Sequence, residues 1–157
     1  MFQCLLSAVL TLSFIFNINT SQEYLSIKKY FSRANDITIV CDNIYYNCDN
    51  YMEEKITNTM YDVCKDSHDI PALSISIHEE TMKNLQQNMW LIFKYSKTQY
   101  HSEIPFDELL IEVNPNYYGF NIIRKYRGKY EGRCFYITLN NDMRKLYDCI
   151  NTLIMSK

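Results

Sequence analysis

Between residues 77 and 99 the chain reads IHEETMKNLQQNMWLIFKYSKTQ, with Leu85, Met89, Ile92 and Phe93 recurring at three- and four-residue intervals. That is the period of one face of an α-helix. Ser76 and Glu79 offer a capping box at its start. This run predicts the longest helix. A second stripe, at 44, 48, 52, 56, 60 and 63, predicts a helix broken near Asp49, where Asn50 and Glu53 could form another capping box. Tyr24, Ile27, Tyr30 and Phe31 are helically spaced as well. Pro105 suits the first turn of a helix in PFDELLIEV. NYYGFNIIRKYRGKY reads as a further helix, stopped by Gly128 or Gly132. Asn141 or Asp142 caps a last one, with Met143, Leu146, Cys149, Ile150 and Leu153 turned inward. Only ITIVC and CFYITL, β-branched and aromatic, read as extended. SHDIPALS is a loop broken by Pro71. The pattern predicts a mainly α fold with one or two short strands.

Composition bends this picture little. Three glycines and three prolines are few for a β-rich chain with many tight turns. Hydrophobic residues make up 47% and charged residues 22%, enough for a packed core. A net charge of −2 argues against nucleic acid as the main partner, because phosphate binding needs a cationic surface. The N-terminus adds location. It is apolar from Leu5 to Phe16, with no charged side chain before Glu23. That run is short for a membrane span and suits a signal peptide cleaved at about residue 21. No later run approaches spanning length, so the mature protein is expected to be soluble, secreted and extracellular.

Secretion gives the cysteines a context. Cys4 leaves with residues 1–21, and five cysteines remain. In an oxidising compartment such residues are more often disulfide partners than catalysts. Four of them spell one frame twice: Cys48, Tyr51, Cys64, then Cys134, Tyr136, Cys149. Tyr61 and Tyr147 stand just before each closing cysteine. The offset between frames is 85 or 86 positions throughout. The chain is therefore read as two divergent units, 22–100 with the long helix and 101–157, which can pack as one domain. Each frame could staple its unit by a disulfide, with tyrosine rings over the bridge. A bridge needs Cα atoms within about 7 Å, and an unbroken 16-residue helix holds its ends roughly 24 Å apart. The helix after Cys48 would then have to start late. Cross-pairing between frames, or with Cys41, stays open. Cys41 lies outside the frame and is the candidate unpaired thiol, available for a dimer.

Catalytic and metal-ligating patterns are weak. CKDSHD (64–69) lacks the paired spacing of a zinc site. HEE at 78–80 is not H-E-x-x-H, since position 82 is methionine. His68, His78 and His101 sit in no recognisable nucleophile setting. GKYEG is no phosphate loop, and RKYRGKY (124–130) reads equally as a candidate binding patch or as a solvated helix face. No catalytic residue, metal site or cofactor is assigned, and the protein is read as a non-enzyme.

The doubled cysteine–tyrosine–cysteine frame behind a signal peptide resembles the bicycle (bi-CYC-like) family of secreted aphid salivary proteins. The matching positions are Cys48, Tyr51, Cys64, Cys134, Tyr136 and Cys149. Cys41 is extra, and the cysteine-to-tyrosine gap differs between frames. The resemblance implies a non-enzymatic effector, delivered in saliva, that alters plant growth or defence by binding an unknown host protein. A different class remains beside it: a secreted, saposin-like helical protein that binds a lipid or small ligand in a Met- and aromatic-rich interior.

Overall fold

A computed structural model of the chain describes residues 29–65, 83, 88–101, 103–130 and 135–156. Its centre is one antiparallel sheet with the strand order β2-β1-β3-β4-β5-β6, and β7 also paired to β5. The strands are β1 (Asp36–Cys41), β2 (Ile44–Asn47), β3 (Met89–His101), β4 (Ile104–Val113), β5 (Gly119–Tyr126), β6 (Lys129–Tyr130) and β7 (Phe135–Thr138). Two helices, α1 (Asn50–Cys64) and α2 (Arg144–Met155), follow β2 and β7.

The expectation of a mainly α fold is therefore overturned. Three predicted helices are strands. The end of the longest one is β3, the Pro105 segment is β4, and NYYGFNIIRKYRGKY is the β5–β6 hairpin. The physical reason lies in burial on both faces. Met89, Leu91 and Phe93 face the helices, while Trp90 and Ile92 belong to a second apolar cluster on the opposite side. An apolar run with both faces covered loses the two-residue alternation that marks a half-buried strand. What is left satisfies three- and four-residue spacing equally well. The part of that predicted helix before residue 88 lies, apart from Lys83, outside the described residues.

Scarce glycine misled in the same direction. The β1–β2 turn is made by Asp42 and Asn43, at φ 50° and 63°. Both residue types tolerate the left-handed region, so this two-residue turn needs no glycine. Arg127 and Gly128, at φ 49° and 78°, close β5 onto β6 in the same way.

The helices that do form pack on one face of the sheet. Asp49 caps α1, accepting a hydrogen bond from the Met52 backbone N–H at 2.9 Å. Asn50, the predicted cap, is the first helical residue. Met52, Ile56, Met60 and Cys64 form the buried stripe of α1, and Leu146, Ile150 and Leu153 that of α2. Glu53 ties helix to sheet: its Oε1 accepts the Ile37 N–H at 3.0 Å. The helices run antiparallel, with Thr59 beside Cys149 (3.5 Å) and Lys145 Nζ on Asp62 (2.8 Å). That ion pair holds the Asp62 carboxyl below its ordinary range.

The two halves of the chain share this sheet. β3 and β4 pair along the hairpin that crosses residue 101. Residues 1–21 lie outside the described residues.

Candidate binding face

The outer face of the sheet, opposite α1 and α2, is organised in cross-strand rows. Strand neighbours stand about 4.8 Å apart, and the register aligns like with like. One row is charged with alternating sign: Asp36, Lys94, Glu108 and Lys125, ending at Tyr130. The next runs Thr38, Ile92, Leu110 and Ile123. The third holds Tyr45, Val40, Trp90 and Glu112. Antiparallel sheets commonly keep one face polar for water. Here Val40, Trp90, Leu110 and Ile123 are each 6% exposed or less, although among the described residues no helix covers them.

These rows enclose a trough of about 290 Å³, lined by Thr38, Val40, Trp90, Ile92, Leu110 and the flanking lysines. Tyr45, from the edge strand, and Tyr130 form its ends. Lys94 Nζ lies 3.4 Å from Asp36, and Lys125 Nζ lies 3.2 Å from Glu108 and 5.8 Å from the centre of the Tyr130 ring. Both lysines are thus neutralised by strand neighbours. Glu112, buried at the far side, accepts from Asn88 Nδ2 at 2.7 Å. In the floor sits Thr38, 2% exposed, whose Oγ1 has no hydrogen-bond partner among the described residues. Leaving such a hydroxyl unsatisfied costs about 1–3 kcal/mol.

The opposite end of the sheet carries a second polar group of residues. Tyr95 donates its hydroxyl to the Tyr30 carbonyl at 3.1 Å, and Tyr30 donates to the Tyr100 carbonyl. Tyr30 and Tyr95 both stack edge-on against Phe106, and Arg124 Nη1 donates to the His101 carbonyl at 3.3 Å. Burial pushes both phenols above their ordinary value; for Tyr30 the nearby Arg33 and Arg124 charges partly offset the rise. Phenols raised in this way stay protonated at neutral pH and act as fixed donors that pin residues 29–31 to the sheet.

A pH dependence follows. The unfolded chain loses a phenol proton near pH 10, while the folded chain holds it to higher pH. Stability from these groups is complete below that value and falls as pH rises above it. Urea melts at pH 9 and pH 11 should show this fall, and Tyr95→Phe should make it shallower. An equal fall in both proteins would remove Tyr95 from the account.

The residues singled out from the sequence are scattered over other surfaces. Among the described residues no pair of cysteines is joined in a disulfide, so the stapled frame is overturned. Cys64 is buried in the stripe of α1, Cys48 lies just before the Asp49 cap, and Cys149 lies on α2. Cys134 lies outside the described residues. The frames also occupy unlike settings: Tyr51 is 61% exposed in the first turn of a helix, whereas Tyr136 belongs to strand β7. Cys41 ends β1, and partial burial, together with the neighbouring Asp42 carboxylate, pushes its thiol up. The thiolate needed for an interchain disulfide is correspondingly scarce at neutral pH. RKYRGKY is no solvated helix face; its Arg124 is buried and its Lys125 lines the trough. His68 and His78 fall outside the described residues, and His101 ends β3 with its ring 6.2 Å from that of Tyr30.

Sequence reasoning missed the trough altogether. The available signal was the short uninterrupted apolar run Met89–Phe93 with its two aromatic residues, which suits a strand buried on both faces. Compared with known proteins, the chain matches no family model, no curated protein and no solved structure.

Proposed function

We propose that this chain is a secreted, non-enzymatic binding protein whose outer sheet face receives a small ligand. The observation that carries the reading is the trough itself: an apolar floor, a few convergent polar groups and a size just under the usual range for ligand pockets, about 300–1,000 Å³. Secretion is supported by the apolar run from Leu5 to Phe16. The ligand lies on the face of the sheet opposite α1 and α2 in this reading. That replaces the helical interior of a saposin-like protein, because the space between helices and sheet is filled by the main core.

A thermal-shift screen of small amphiphiles tests it. A ligand present at 100 times its Kd stabilises the fold by about 2.7 kcal/mol, a shift of several degrees. Ile92→Arg, at a half-buried position on the trough wall, should abolish the shift. A shift that persists in this variant would place the ligand elsewhere.

One observation favours a second reading, an effector that grips a host protein in plant tissue. Tyr45, Tyr51, Tyr100, Tyr117 and Tyr118 are between 48% and 63% exposed, and tyrosine is enriched where proteins meet. This reading expects a purified plant protein to bind Ile92→Arg as tightly as the unaltered chain, and to lose affinity for the double variant Tyr117→Ala, Tyr118→Ala.

A further inference from the structure

The chemistry of the trough narrows its ligand, on the assumption that the trough is the binding site. The charged row carries two carboxylates and two lysines, each lysine within 3.4 Å of its carboxylate. An anionic head group would have to displace Asp36 or Glu108 to reach a lysine. A cationic one would have to displace a lysine. Neither exchange recovers more than it gives up, because a new ion pair only replaces an old one. The apolar row next to it rewards burial of a hydrocarbon surface at about 25 cal/mol per Å². Among the described residues that line the trough, Thr38 Oγ1 is the buried side-chain atom without a hydrogen-bond partner. Its hydroxyl can both donate and accept, and its place in the floor sets the depth at which a polar atom of the ligand must sit.

We propose that the trough selects an uncharged, ring-sized amphipathic molecule with one hydrogen-bonding group, which Thr38 meets from the floor. The test uses the chain's own optical probe. Trp90 is the only tryptophan and lines the trough, so its emission reports occupancy directly. Two dyes share one aromatic skeleton and one N–H: N-phenyl-1-naphthylamine is uncharged, and 8-anilinonaphthalene-1-sulfonate carries a sulfonate. Titrating the full chain with each, and following loss of Trp90 emission, should give at least about tenfold tighter binding for the uncharged dye. A hydrogen bond of about 0.5–1.5 kcal/mol corresponds to a factor of roughly 2–12. Thr38→Val should weaken the uncharged dye within that range, and Thr38→Ser, which keeps the hydroxyl, should restore it.

Equal or tighter binding of the sulfonate would overturn the selection for uncharged ligands while leaving the trough as the site. Unchanged affinity in a folded Thr38→Val would overturn the role of the hydroxyl. If neither dye quenches Trp90, both this inference and the ligand-binding reading beneath it fall.

Discussion

Phe93→Ala is expected to lower the unfolding free energy by about 3–5 kcal/mol, the range for deleting a fully buried phenylalanine. Phe93 is 0% exposed at the middle of β3, between β1 and β4, with its ring 5.3 Å from that of Phe31. Few of its neighbours can collapse into the gap, because strands are held in register on both sides. In a protein of this size the melting temperature should fall by roughly 6–20 °C. Its chain neighbour gives the contrast. Ile92 is half-buried on the trough side, so Ile92→Ala should cost only about 1 kcal/mol. Parallel urea melts of the two variants separate strand from helix: a helix with residues 92 and 93 on one buried face would make both losses large.

Ile150→Ala comes next, at about 2–5 kcal/mol. Ile150 is 0% exposed on the inner face of α2, where that helix lies against α1. The loss should appear in circular dichroism and in Trp90 emission at the same denaturant concentration, since a single sheet backs both clusters. An earlier transition by circular dichroism alone would mean that α2 melts off by itself.

These two residues also divide what was legible in the sequence from what was not. α2 was readable because it is buried on one side only, so Leu146, Ile150 and Leu153 stand out against charged neighbours. α1 was readable for the same reason, with its cap displaced by one residue. β1 announced itself by β-branched residues, but β2 did not, because residue 44 falls on the helical stripe and the Asp42–Asn43 turn carries no glycine. β3, β4 and β5 were not readable, because a few apolar residues on their outer faces, Trp90, Ile92, Leu110 and Ile123, join the inner ones into unbroken runs and blur the alternation. The failure and the site have one cause. Buried apolar residues on the sheet face opposite α1 and α2 disguised the strands, and most of the same residues line the trough. The cysteine frame misled differently: spacing along a chain says nothing about which elements will carry it.

The edge of the sheet has a consequence for handling the protein. β2 is four residues long, has no lysine or proline to discourage a newcomer, and leaves Ile44 and Tyr45 more than half exposed. Among the described residues no further strand pairs with its outer side, and such a border is a template for another backbone. Concentrated samples should therefore self-associate edge to edge before they unfold, and a lysine in place of Ile44 should keep them dispersed.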